Sequence, residues 1–177
     1  MKKFLVPTDF SDNANNAILY ATELAALMEA SITLVNTYRV YSTSGMFISV
    51  ESYLKKDAAR QMLETYEVVE QKLGKGRVES KIIRGDTIPV ISEMANKKDY
   101  DLIVMGTQGA SGLEEIFTGT TTNGVLKKSQ KPVLAIPQGF PFSSIQNIVL
   151  AVDQKGLSVS KVLSPLVKIA QKADAHV

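Results

Sequence analysis

The amino-acid sequence predicts an α/β fold: a doubly wound, five-stranded parallel sheet. Three observations predict it. Five short apolar runs alternate with amphipathic stretches along the first three-quarters of the chain. Most of those runs lack polar alternation, the pattern of strands buried on both faces of a parallel sheet. Strand and helix follow each other one for one, and right-handed crossovers limit how such a chain closes.

The first strand is Phe4-Leu5-Val6, ending at Pro7. Ser11 or Asp12 caps the first helix, whose Ala14, Ala17, Ile18, Ala21, Leu24, Ala25 and Met28 share one face. The second strand is Ile32-Thr33-Leu34-Val35. Residues 38–50 read as a loop, long for a compact domain, which points to a mobile or functional connection. Tyr38, Tyr41 and Phe47 in it read as anchors on the core, with ligand cover as the alternative. The second helix is expected from about 51 to 73, where Gly74 and Gly76 stop it. Residues 78–83 form the third strand, and the apolar–polar alternation of 78–82 suits a sheet edge. The third helix starts near Thr87, with Pro89 tolerated in its first turn, and runs to about Asn96. Leu102-Ile103-Val104-Met105 is the fourth strand, and the fourth helix follows Gly119 to about Ser129. Val133-Leu134-Ala135-Ile136 is the fifth, bracketed by Pro132 and Pro137 as edge strands allow. It carries no charge, and such an edge is normally covered or paired.

Composition removes several function classes. The 177 residues fit one domain with a little to spare. There is no cysteine, which excludes disulfides and thiolate metal sites. The single histidine, His176, excludes most histidine metal sites, Ser-His-Asp hydrolysis and phosphorelay through histidine. The net charge is +2 and no basic run exceeds two residues, so no nucleic-acid partner is expected. No apolar stretch approaches a membrane span, and the N-terminal apolar run stops at Pro7, too short for a signal peptide. The expectation is a cytoplasmic protein without a membrane partner.

Residues 139–144 read as a linker, and the chain beyond it echoes the beginning. Gln146-Asn147-Ile148-Val149-Leu150-Ala151-Val152-Asp153 matches Lys2-Lys3-Phe4-Leu5-Val6-Pro7-Thr8-Asp9. A helix-like stretch runs from Ser158 to Lys172. At the same offset, the ending from Ala173 matches the stretch from Glu29. The expected organisation is a domain at 1–138, the linker, and a partial second repeat at 145–177. A C-terminal decoration with chance similarity is the alternative.

The segment 106–123 carries the strongest chemical signal. Glycines let the backbone approach a ligand closely or adopt positive φ. Gly119 and Thr120 open a helix, where free N–H groups and the dipole favour an anion. Thr120, Thr121 and Thr122 add hydroxyl donors. This is the chemistry of a phosphate cradle, and from the glycines alone a capped loop explains it equally well. Asp9 ends the first strand, where ligands of doubly wound sheets bind. It reads either as a site residue or as a loop cap for the N–H groups of residues 11–13. Glu114 and Glu115 read as solvated loop charges. There is no P-loop and no G-x-G-x-x-G after the first strand. The acids and lysine of a receiver domain are not where that fold needs them.

The spacing Gly106-x2-Gly109-x9-Gly119-Thr120 resembles the ATP-binding signature G-x2-G-x9-G-[ST] of universal stress proteins. Val6-Pro7-Thr8-Asp9, the run from Asp99 to Gly106 and the run from Ser129 to Pro137 resemble that family too. The resemblance covers residues 1–138 and restarts near 145, as in the tandem members. It implies the adenine nucleotide alpha hydrolase-like sheet order 3-2-1-4-5. It also implies that Pro7, Thr8 and Asp9 meet adenine and ribose, and that Thr37 lines the adenine pocket. Gly106, Gln108, Gly109, Gly119, Thr120 and Thr121 would surround ribose and phosphates. Gln108 departs from the His or Arg often found there, which removes a charge near the phosphates. The implied ligand is ATP, with Mg2+ as its companion ion, and the implied role a stress-response sensor or regulator. No catalytic residue is evident; a slow metal-assisted ATP hydrolase and a non-nucleotide dimerising module are the alternatives. Because the Val133–Ile136 edge is apolar and uncharged, it is expected to pair with a second copy of the chain in a homodimer.

Overall fold

Phe4, Leu5 and Val6 are each fully buried, and they face two different cores. Phe4 and Val6 join a cluster with Ile32, Leu34, Leu102 and Val104. Leu5 joins another with Val35, Ile103 and Met105. Successive strand residues point to opposite faces, so a sheet covered on both sides needs apolar residues at every position. That requirement produced the unbroken apolar runs.

The computed structural model describes residues 1–39, 47–97, 99–107, 119–151 and 160–177. In chain order these are β1 (Lys3–Thr8), α1 (Asp12–Met28), β2 (Ser31–Tyr38), α2 (Phe47–Leu73) and β3 (Val78–Arg84). Then come α3 (Thr87–Lys97), β4 (Leu102–Gly106), α4 (Thr120–Lys128), β5 (Val133–Ile136) and α5 (Ser160–Ala173). The sheet order is β3-β2-β1-β4-β5, and each adjacent pair is parallel. Ala17, Ile18 and Leu24 of α1 and Met62 and Val69 of α2 cover one face. Ile91 and Ala95 of α3 and Val125 of α4 cover the other. Each fully buried aliphatic side chain contributes about 1.5–3 kcal/mol, so both layers matter to stability.

Local signals set most boundaries. Ser11 is the N-cap of α1 and accepts from the Ala14 N–H at 3.3 Å. The second helix begins at Phe47, four residues before the expected start. No glycine or proline separates Phe47 from Glu51, so nothing stops the helix extending back to it. The expectations for residues 40–46, Tyr41 among them, lie outside the described residues. Gly124 lets α4 approach α3, since a Cβ there would clash with the Ile88 side chain.

The C-terminal segment lies back on α1. Asn16 Nδ2 donates to the carbonyls of Pro137 and Phe140 at 3.2 and 3.1 Å. The Phe142 ring meets Tyr20 edge to face, with centroids 5.0 Å apart. Lys172 pairs with Glu29 at 2.8 Å, and that hydrogen bond and charge hold the Glu29 carboxyl below its ordinary range. Residues 146–151 do not extend into a strand; a single parallel bridge joins Asn147 to His176.

This segment repeats a feature of the main sheet. Glu29 takes the left-handed conformation after α1, and the Ala30 N–H bonds to Ala25 O. Asp174 does the same after α5, and the Ala175 N–H bonds to Ala170 O. Ser31 N–H then donates to Lys2 O, as His176 N–H donates to Gln146 O. The structural register therefore aligns Asp174 with Glu29, one residue later than the constant sequence offset placed it. Gln146 and His176 are separated by one more residue than their counterparts Lys2 and Ser31.

Arg77 closes the end of the sheet opposite the carboxyl ends of the strands. Its guanidinium donates to Leu73 O at 3.2 Å, Ala25 O at 3.0 Å and Ala30 O at 2.7 Å. One side chain thus satisfies carbonyls at the C-termini of both α1 and α2, where cations are favoured. Arg77→Ala is expected to lower the unfolding free energy by about 2 kcal/mol, since charged hydrogen bonds to partly buried carbonyls are lost. Arg77→Lys recovers only part, because an ammonium cannot span three carbonyls as the planar fork does. Urea denaturation checks both; a loss under roughly 0.5 kcal/mol for the alanine variant would class Arg77 with ordinary surface positions.

Candidate functional site

β1 and β4 are register partners only at Phe4↔Leu102 and Leu5↔Ile103. Both continue, β1 to Thr8 and β4 to Gly106, but without further pairing to each other. Pro7 has no N–H to extend a ladder. Beyond β1 the chain passes to α1 on one face, and beyond β4 to α4 on the other. This is the position where a doubly wound sheet opens a crevice.

Each wall is held by local bonds. Phe10 N–H donates to Thr8 Oγ1 at 3.0 Å and Phe10 takes a positive φ, turning the chain toward α1. Asp9 Oδ1 accepts from Ser11 N–H at 3.1 Å and from Ser11 Oγ at 2.6 Å. Asp9 therefore caps its turn, and it also lines the crevice. Asn36 Nδ2 donates to Thr8 O at 2.9 Å, tying the end of β2 to β1.

The opposite wall is β4 with α4. Thr122 Oγ1 donates to Gly106 O at 2.6 Å, and Gly119 N–H donates to Thr107 O. Gly106 is needed for packing: a Cβ there would meet Asn13 Nδ2 at 2.8 Å and Asn13 O at 3.0 Å. Gly119 has φ −53°, open to any residue, so positive φ is not its reason for being glycine. It is the N-cap of α4 and offers no side-chain cap. The first N–H groups of α4 lack intrahelical partners, and this end of the helix favours an anion.

The result is an open cleft between the two walls. Pro7, Thr8, Asp9, Thr37, Gly106, Gly119, Thr120 and Thr121, all expected from the sequence, line it together. Gln108 and Gly109 lie outside the described residues, as do Glu114 and Glu115. Thr122, read with Thr120 and Thr121 as a hydroxyl donor, lines it as well, and the structure adds Ala14, Val35, Thr87 and Met105. Ala14, Val35 and Met105 read in the sequence as ordinary core positions, and only their nearness to the element ends could have marked them. Thr87 read as a helix start; its hydroxyl lies 2.7 Å from that of Thr37, fifty residues away in sequence.

The lining has a clear chemical division. Pro7, Ala14, Val35 and Met105 are its apolar lining residues, and threonines make up most of the rest. Among the described lining residues Asp9 is the only charged one. Among the described residues no group of three or more His, Cys, Asp or Glu could hold a metal ion. No described helix is long and apolar enough to cross a membrane.

The universal stress protein family model matches residues 1–137. A universal stress protein of Methanocaldococcus jannaschii is 30% identical over 139 residues, covering 76% of this chain and 81% of that protein. A universal stress protein solved with cAMP superposes with a TM-score of 0.62 at 21% identity, covering 78% of this chain and 98% of that one. One from Archaeoglobus fulgidus solved with dAMP gives 0.58 at 20%, covering 77% and 98%. Another from Archaeoglobus fulgidus gives 0.75 at 19%, covering 98% of this chain and 66% of that one. At such identities the structures speak for the fold. The family match over 1–137 and the relative at 30% identity show that the chain belongs to the universal stress protein family.

Proposed function

We propose that the cleft binds an adenine nucleotide, ATP in particular, and that the protein acts as a nucleotide-responsive regulator in a stress response. The observation that carries this reading is the cleft itself. It joins an apolar slot at the parting of β1 and β4 to the uncapped N-terminus of α4. A nucleotide has the matching polarity: a flat heterocycle at one end and an anion at the other. The relatives solved with cAMP and dAMP support the choice, since both ligands are adenine nucleotides.

In this reading Pro7, Val35 and Met105 hold the base, and Asp9 accepts from ribose hydroxyls. The N–H groups opening α4 and the hydroxyls of Thr120 and Thr121 receive the phosphates, with Gly109 and Gln108 completing the loop. Mg2+ would enter bound to the phosphates, as the described residues offer it no cluster of its own. The protein contributes binding and orientation, and no described residue stands as a general base beside the phosphate end.

Two features of assembly belong to the same proposal. β5 is the sheet edge, bonded only to β4, and carries no charged residue. It is the surface for a homodimer. Residues 145–177 are the start of a second repeat, supported by the recurring turn after α5 and by a related structure matched over 98% of this chain.

Calorimetric titration with ATP tests the site. Wild type is expected to bind. Gly119→Val places a branched side chain at the mouth of α4 and should weaken binding tenfold or more, about 1.4 kcal/mol, with an unchanged circular dichroism spectrum. Asp9→Ala should weaken binding several-fold and reduce discrimination against 2′-deoxy and 3′-deoxy analogues. No binding by wild type at millimolar ATP would overturn the reading in favour of an interaction module. Linear ATP turnover abolished by Gly119→Val would replace it with a hydrolase.

Deleting residues 141–177 tests the boundary. The remaining chain keeps the complete sheet, so it should stay folded by circular dichroism while its solubility or oligomeric state changes. Complete unfolding would place the boundary elsewhere.

A further inference from the structure

We propose that Thr37 and Thr87 form a reversible hydroxyl pair that reads the purine edge and accepts either a 6-amino or a 6-oxo group. This rests on the nucleotide reading above and goes beyond it, because it names the contact that sets base selectivity.

The pair is built by tertiary structure. Thr37 is the penultimate residue of β2 and Thr87 the first residue of α3. Their Oγ1 atoms are 2.7 Å apart, and either can donate. Two further links fix the β3–α3 turn against the end of β2. Gly85 N–H donates to Tyr38 O at 3.0 Å, and Arg39 pairs with Asp86 at 2.6 Å. Gly85 has φ +153°, and a Cβ there would meet Val90 Cγ2 at 2.9 Å. The turn is thus held in the one place that brings Thr87 to Thr37, and both hydroxyls line the cleft.

Electrostatics decide which end of the ligand meets the pair. At α4 the cap is a glycine without a side chain, so the helix end is open to phosphate. At α3 the residue before Thr87 is Asp86, ion-paired with Arg39 at 2.6 Å, so the two charges offset each other and that end offers no net cation to compete with the open α4 terminus for phosphate. β2 and β4 flank β1 on opposite sides, so the two ends are separated by about 10 Å at two strand spacings. The neutral base therefore falls at Thr37 and Thr87, and the phosphates at Thr120 and Thr121.

The chemistry of the pair comes from its donors and acceptors. One hydroxyl donates its proton to the other, which leaves the second proton free to reach the ligand and lone pairs on the first to accept. The pair thus presents a donor beside an acceptor, and exchanging the internal proton swaps their order. Adenine offers an amine donor at position 6 beside a ring nitrogen acceptor. Hypoxanthine offers an oxygen acceptor at position 6 beside an N–H donor. A side-chain amide fixed in one orientation would match one and leave buried groups unpaired against the other. The threonine pair matches both.

Calorimetric titrations with ATP and ITP, on wild type and on Thr37→Val, Thr87→Val and the double variant, test this. Valine keeps the shape and removes the hydroxyl, and thermal melts confirm that each variant folds. Wild type is expected to bind the two nucleotides within about threefold of each other. The double variant is expected to lose tenfold or more for both. Equal ATP affinity in wild type and double variant would overturn the pair as a base contact while leaving the nucleotide site standing. A preference for ATP over ITP beyond tenfold in wild type would overturn the reversal. Failure of wild type to bind either nucleotide would instead overturn the function on which the proposal rests.

Discussion

The parting of β1 from β4 is the constraint on which the rest of the site depends. A parallel pair gains stability from each ladder bond it makes, yet this pair is in register only through Leu5↔Ile103. The unpaired ends must satisfy their backbone groups elsewhere. Thr8 O receives Asn36 Nδ2, Gly106 O receives Thr122 Oγ1, and Thr107 N–H turns outward to Ile136 O. Each substitute bond fixes one wall of the cleft. The opening is therefore held apart by satisfied polar groups on both sides, and a ligand enters a formed cleft. Gly106 belongs to the same constraint, because the start of α1 must press Asn13 against β4 for the walls to stand where they do.

The polar character of the cleft is unusual in one respect. Among the described residues its donors are threonine hydroxyls and backbone N–H groups, with no lysine or arginine in the lining. Such donors are neutral, so they exert little pull on an anion at long range and act once it is in place. A helix N-terminus contributes fractions of a unit charge and falls off within a turn. Affinity in such a site comes from geometry, and it is less sensitive to salt than a site built on surface cations.

The sequence made most of the fold legible because burial on both faces leaves a plain pattern: five apolar runs became five strands in the expected order. Most of the residues expected at the site line one cleft, because strand ends and helix starts carry proline, aspartate, glycine and threonine signals and the fold brings those ends together. Two differences have physical causes. The start of α2 falls earlier than expected because Phe47, Ile48, Ser49 and Val50 all have middling helix propensity, and nothing at the boundary marks it. Thr87 gives no sign of being a site residue because its role depends on a contact fifty positions away. A threonine opening a helix looks like any first-turn residue until the end of the neighbouring strand is known.

The C-terminal segment shows how far local structure can be encoded without a sheet to support it. After α1 and after α5 an acidic residue takes the left-handed conformation, at Glu29 and Asp174. Alanine follows each, its N–H bonded five residues back, and the next residue donates to an earlier segment, Ser31 to Lys2 O and His176 to Gln146 O. The helix end thus sets the direction in which the chain leaves, before any ladder exists to guide it. In the main sheet that direction leads to six register pairs between β1 and β2. In the tail it leads to one bridge, and Val149 beside it remains 93% exposed. A lone bridge is marginal in water, so the segment needs α1: the Phe142 ring on Tyr20 and Lys172 on Glu29 hold it there. Glu29 therefore serves both copies of the motif. Its backbone turns the first helix into β2, and its carboxylate holds the helix that repeats the turn.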